Sequence, residues 1–264
     1  MQLLKNIILT LTFCALISSI AVAQHAYFAQ QGTIHYDKTI FIKNLMKRYA
    51  SYESDPNKAG LFQRYIDPLP ENIHYKKTLS FNQDETLFKH VSDEQPEIVK
   101  QLAMMGIFES GIDTYQNFKT KEMRSLFELG GQIVHIQDSL VQTKWRITNE
   151  YRNIAGYNCR RANGIVMDSI YVVAFYTDEI SISGGPSVFN GLPGTILGLA
   201  VPELHYNIFA TKVDLTPVPF IDSNLTKKKI KPLRRDEVYD QLNSIVGQFL
   251  GEKIFNLVMA GYFL

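Results

Sequence analysis

The chain has 264 residues, 45% of them hydrophobic, which is enough to build a core in one large or two small domains. Lys and Arg total 27 against 26 Asp and Glu, so the net charge of +1 argues against nucleic acid as a general partner. With only two cysteines, Cys14 and Cys159, stability has to come from packing rather than from a disulfide framework.

Residues 1–23 read as a cleaved export signal. Lys5 is the only charge among the first 24 residues, Ile7 to Ala23 is mostly apolar, and Ala21 and Ala23 stand at −3 and −1 of an A-x-A cleavage site. The run is short for a membrane span, which needs roughly 17–25 residues, and it ends in small residues rather than charges. Phe13 precedes Cys14 where a lipoprotein signal needs a small residue, so Cys14 leaves with the signal and Cys159 becomes the lone thiol. Loss of Lys5 balances the mature chain at 26 basic and 26 acidic residues. The expected destination is the periplasm or the outer-membrane side of a bacterial envelope.

Residues 24–264 read as one β-rich domain. Thr33 to Ile40 alternates as a strand, and Phe41 to Ala50 follows as a helix with Phe41, Leu45 and Met46 on one face. Asp55-Pro56 and Asp67-Pro68 mark turns between Ser51 and Pro70. Ile73 to Phe81 and Thr86 to Val91 form a hairpin around Asn82–Glu85, and Pro96 to Phe108 has Ile98, Leu102 and Met105 at helical spacing, a face expected in the core. Strands then recur at Asp113 to Lys119, Glu122 to Leu129, Gln132 to Asp138, Leu140 to Ile147, Ile154 to Ala162 and Ile165 to Tyr176, with Asn163-Gly164 as a hairpin turn in the last pair. His205 to Val213 alternates as a final strand. Lys227, Lys228, Lys229, Lys231, Arg234 and Arg235 make a basic stretch within 226–235, either a solvated linker or a contact for anionic lipid head groups. A helix follows from Asp236, its N-cap, to Phe255, with Val238, Leu242, Ile245 and Phe249 on one face; the apolar tail Ile254 to Leu264 docks or inserts. Strand spacing near ten residues predicts an α+β, β-rich fold: an antiparallel sheet or open half-barrel with helices near both ends.

Between Gly184 and Leu199 glycines and prolines are packed into an apolar run. Gly185-Pro186 and Leu192-Pro193-Gly194 each suit a tight turn. Such a loop either presents Phe189, Leu192, Pro193, Ile196 and Leu197 as a pre-shaped surface for an apolar molecule or an envelope protein, or it is a buried corner that plugs one end of the sheet.

Gly191-Leu192-Pro193-Gly194-Thr195-Ile196-Leu197 resembles the signature of the GLPGLI family of secreted Bacteroidetes proteins. Trp145–Glu150, Ile154–Ala162 and Ala174–Ile180 agree with it in order and spacing, over about residues 145–199. Thr195 departs from it, standing where the family has Leu or Ile. The resemblance implies an exported protein without an assigned active site. The segment around Gly156-Tyr157-Asn158-Cys159 also resembles the lipoprotein-carrier superfamily, whose sheet half-wraps a helix.

Catalytic patterns are sparse. Cys159 reads either as a thiol site flanked by Arg160 and Arg161 or as a small buried hydrophobe. The six histidines form no ligand pair, so neither metal nor cofactor is expected. Asp178-Glu179 point to opposite faces of an extended segment and suit no paired-carboxylate chemistry. The expected function is a non-enzymatic binding protein of the envelope; an enzyme whose site assembles only on folding, or a structural component of an envelope complex, are the alternatives.

Overall fold

A computed structural model describes residues 29–264, apart from Ser54, Ser92, Asp93, Ser110, residues 218–220, Asp222 and residues 226–228; the side chains of 56–59 and 61 are also left aside. The expected leader with its cysteine, and His25, lie outside the described residues.

Alternation sets the architecture. Along β1 (Gly32–Ile40), Ile34, Tyr36, Lys38 and Ile40 are buried and their neighbours half-exposed, the period of two that puts one face of a strand on a core. The same pattern marks β2 (Ile73–Phe81), β5 (Glu122–Leu129) and the first half of β11 (Tyr206–Asp214). With β3 (Glu85–Val91), β4 (Ile112–Asn117), β6 (Gln132–Ser139), β7 (Thr143–Ile154), β8 (Tyr157–Val166), β9 (Ile170–Thr177) and β10 (Thr195–Val201) they form one antiparallel sheet in the order β6-β5-β4-β3-β2-β1-β11-β10-β9-β8-β7.

That order forces curvature. β6 and β7 are the two edges, yet only residues 140–142 join them. Four Cα steps reach at most about 15 Å, whereas eleven strands laid flat would span about 48 Å. The sheet therefore curls until its edges nearly meet, the open half-barrel expected from the strand spacing. The β6 edge is then covered: Leu233 N–H donates to His135 O and Gln137 N–H donates to Leu233 O, both at 2.9 Å. Arg235 clamps the end of β6 through Asp138 at 3.1 Å. Part of the basic stretch thus caps an edge instead of floating as a linker.

Helices fill the curl. α1 (Ile42–Tyr52) buries Ile42, Leu45, Met46 and Tyr49. α2 (Pro56–Ile66) occupies the stretch expected to hold only turns; Pro56 sits at the first helical position, where its fixed φ and missing N–H start a helix. α3 (Glu97–Met104) is one turn shorter than expected. At the C-terminus the single expected helix is broken. α4 (Arg235–Leu242) begins with Arg234 at the N-cap, its N–H donating to Glu237, so Asp236 lies inside the first turn. A π-helical stretch (Asn243–Gly247), α5 (Gln248–Leu250) and α6 (Glu252–Phe263) come next, with Gly251 at φ +72° separating the last two. α6 is the plug: Ile254, Phe255, Val258, Met259, Tyr262 and Phe263 are buried, and Tyr262 O–H donates to Phe108 O at 3.0 Å. Each such side chain contributes about 1.5–3 kcal/mol by leaving water.

Two further expectations are corrected. β8 runs straight through Asn163-Gly164, and its turns lie at Ala155-Gly156 and Met167-Asp168. Gly164 is a glycine because Trp145 from β7 covers it, and a Cβ there would meet the indole at 2.6 Å. Thr195–Val201, taken as part of the loop, is a strand between β9 and β11.

Candidate functional site

The Gly/Pro segment is a corner, and its apolar side chains face inward. Phe189, Leu192, Ile196 and Leu197 are buried; Pro193 alone of the five candidates is exposed. Polar groups lock them there. Asn190 Nδ2 shares its two hydrogens among Gln116 Oε1 and the carbonyls of Val141 and Val188, all within 3.1 Å. Trp145 Nε1 donates to Asn190 O at 2.8 Å, and Gln116 Nε2 donates to Ser187 O at 2.9 Å. Ser183 O–H donates to Leu192 O at 2.7 Å, and Tyr36 O–H donates to Ile196 O at 2.7 Å. Thr195 Oγ1 lies 2.9 Å from Ile182 O and 3.2 Å from Ile180 O, contacts a leucine could not make. A buried loop needs all its polar groups matched, and this one uses them to close one end of the half-barrel.

Cys159 lies in the core with Sγ 3.6 Å from Tyr157 O. Burial, with Glu179 adding repulsion, pushes its thiol up to about 12, so it stays protonated at neutral pH and is a poor nucleophile. Iodoacetamide at pH 8 is expected to leave it unlabelled in the native protein and to label it fully in urea; rapid labelling of the folded chain would put the thiol back among site residues. Asp178 and Glu179 are exposed. Among the described residues no three His, Cys, Asp or Glu side chains gather at one point.

The exposed apolar surface lies at the helices instead. Phe62 and Tyr65 from α2, Met46 from α1, Met105 and Ile107 from the α3–β4 connection, and Phe249 and Leu250 from α5 line a groove of about 190 Å³, with Glu53 its one charged residue. Met105 is 58% exposed and Phe249 75%, with Met104 at 69% and Ile245 at 63% also turned outward. Met105 was expected in the core, and Ile245 and Phe249 on one helical face with Val238 and Leu242. Met105 falls one residue past the end of α3, so the helical face stops short of it. Ile245 and Phe249 are carried outward by the π-helical stretch, because one extra residue in a turn rotates the rest of the helix by about 100°. Gly247 lies in the stretch, and a Cβ there would stand 2.0 Å from Asn243 Oδ1 and push that side chain aside. The sequence signal was present as a Met-Met pair, read as core, and an Ile-x-x-x-Phe spacing, read only as one face of a helix.

A second concavity, about 630 Å³, lies at the seam between Leu140–Gln142, the β8–β9 turn and α4. Its walls mix apolar side chains such as Leu140, Ile165 and Phe263 with the charges of Arg235, Asp236 and Asp240 and the exposed ion pair of Lys144 with Asp168.

The fold is similar to that of two solved structures. "Structure of PNGF-II in C2 space group" is 19% identical over 81% of this chain and 33% of that one, with a TM-score of 0.50. "Structure of PNGF-II in P21 space group" is 18% identical over 80% and 33%, with a TM-score of 0.49. The chain spans about a third of the length of these proteins, and the likeness is one of fold. No curated protein matches. Residues 164–198, from the last three residues of β8 through the Gly/Pro corner into β10, match a family described as "Protein of unknown function (Porph_ging)", in keeping with a Bacteroidetes-type family though not with GLPGLI by name.

Proposed function

We propose that the chain is a non-enzymatic binding protein exported to the bacterial envelope, and that an apolar chain lies in the groove between α1, α2, the α3–β4 connection and α5. The carrying observation is the groove itself: seven apolar residues and one charge, with Met105 and Phe249 more than half exposed. Scattered surface hydrophobes need no explanation, but a contiguous lining of methionine and aromatic side chains does. Methionine adapts to ligands of irregular shape, and a π-helical turn beside a surface is a frequent mark of a functional site. The A-x-A leader supports export, the Gly191–Leu197 motif supports the likeness to the GLPGLI proteins, and the matched segment around it supports a Bacteroidetes-type family.

The test is Phe249→Asp. A fluorescent long-chain acyl probe is expected to bind the wild type, and the variant at least about tenfold more weakly. Melting should hardly change, because surface substitutions usually stay within about ±0.5 kcal/mol. Equal binding by both proteins would remove the groove from the reading.

A polypeptide partner is favoured by one separate observation. β7 pairs only with β8, so the outer edge of this twelve-residue strand has no strand partner among the described residues, and such edges accept added strands. Native mass spectrometry of protein purified gently from its own envelope separates the two: a bound apolar mass supports the groove, a co-purifying polypeptide the edge.

A further inference from the structure

Inside the curl sits a charged cluster that folding alone does not call for. Lys38 on β1 is 6% exposed, Lys77 on β2 2%, and Glu109 from the α3–β4 connection 4%. Lys38 Nζ donates to Glu109 Oε1 and lies 4.2 Å from the centre of the Tyr206 ring. Glu109 Oε2 and the Tyr206 hydroxyl are buried with no hydrogen bond to another protein group. Each such orphan costs about 1–3 kcal/mol, and a buried ion pair is often no better than apolar packing of the same volume. Lys38, Glu109 and Tyr206 border a cavity of about 20 Å³, room for one water. Gly261 of α6 borders it too, with nothing within 4 Å of where its Cβ would be. Alanine would fill that space and favour the helix by about 1 kcal/mol.

The cavity and the apolar groove share two walls. The α3–β4 connection gives Met105 and Ile107 to the groove and Phe108 and Glu109 to the cavity; α1 gives Met46 to one and Leu45 and Tyr49 to the other. We propose that Lys38, Lys77 and Tyr206 form the head-group end of the ligand site, that they take a carboxylate terminating the apolar chain in the groove, and that Glu109 holds that place when no ligand is bound. This rests on the apolar-ligand reading above and names its ligand class, a free acyl carboxylate. Exchange of one carboxylate for another leaves the buried charge balance unchanged, which is what makes the displacement of Glu109 feasible. The Tyr206 hydroxyl gains the acceptor it lacks.

The experiment titrates dodecanoic acid and dodecan-1-ol by calorimetry into the wild type, Lys77→Met, Tyr206→Phe, Glu109→Gln and Phe249→Asp, with a thermal melt for each. The wild type is expected to bind the acid at least about tenfold more tightly than the alcohol. Lys77→Met should abolish that preference while leaving the alcohol's affinity in place. Glu109→Gln, whose side chain no longer competes as an anion, should widen it by about threefold or more. If Lys77→Met does not fold, Tyr206→Phe decides, since it removes only an unpartnered hydroxyl: the preference should fall by about threefold without loss of melting temperature. Acid and alcohol bound equally by the wild type, and both lost in Phe249→Asp, would overturn the head-group site and leave the groove standing. Binding of neither would overturn the apolar-ligand reading and this proposal with it.

Discussion

Gly194→Ala is expected to lower stability by about 3–5 kcal/mol, the sum of a strained backbone and a clash that cannot relax. Gly194 holds φ at +145°, and an added Cβ would stand 2.1 Å from Thr177 O, 2.8 Å from Thr177 C and 2.9 Å from Asp178 Cα. All three are backbone atoms at the end of β9, fixed by pairing with β10. Gly194 N–H also donates to Leu192 O at 2.8 Å, closing a tight turn around Pro193. Gly191→Ala is the control. Its φ is +91°, but the nearest atom to a new Cβ is Trp145 Nε1 at 3.7 Å, so only the backbone strain remains, worth about 1 kcal/mol. For a domain of this size each kcal/mol moves the melting temperature by about 2–4 °C. Gly194→Ala should therefore melt about 6–20 °C below wild type and Gly191→Ala only about 2–4 °C below. Equal melting temperatures for the two variants would mean that the corner is not held as described.

The glycine- and proline-rich motif is thus explained by packing here, with no ligand needed. Gly185 has Ile196 where its side chain would go, at 2.6 Å, and Gly194 has Thr177. The segment turns a chain of bulky residues back through the mouth of a curled sheet, and only glycine lets the backbones approach so closely.

Strand spacing makes the sheet legible in the sequence, because period-two alternation survives wherever one face is buried. β1, β2 and β5 follow it nearly residue for residue. It fails where a turn is made by residues with no turn signature. Met167 and Asp168 take positive φ at the β8–β9 corner, while Asn163-Gly164, a strong turn signal, is spanned by a strand because Trp145 supplies the covering that Gly164 lacks. Burial is harder still. Phe189 and Phe249 are both aromatic residues in apolar surroundings, and which of them faces solvent depends on a corner network closed by Asn190 and on a π-helical turn between residues 243 and 247. Both are tertiary facts. Glu109 is invisible for a related reason: Lys38, Lys77 and Glu109 lie far apart in sequence, and each alone reads as a surface charge.

The second large effect concerns that cluster. Glu109→Leu is expected to cost about 3–5 kcal/mol at pH 7, since it leaves Lys38 buried without its carboxylate. Lys38→Met combined with Glu109→Leu should recover most of the loss, because apolar residues of similar volume often replace a buried pair at no net cost. The pH dependence arises from the same contacts. Burial pushes the Glu109 carboxyl up, but Lys38, Lys77, the Lys38 hydrogen bond and His90 together hold it down, from 4.5 to about 2. A folded value below the unfolded one means the stabilisation is complete above about pH 4.5 and drains away as pH falls towards 2, a contribution on the order of 3 kcal/mol. Urea unfolding of wild type and Glu109→Gln between pH 7 and 3 isolates it from other carboxylates: the wild type should lose more stability than the variant below pH 4.5. Parallel curves would show that Glu109 is not held as an ionised partner of Lys38. The double variant carries the further consequence. If it is as stable as wild type yet has lost the preference for acid over alcohol, the pair contributes nothing net to the fold, and its place inside the half-barrel is explained by what it binds.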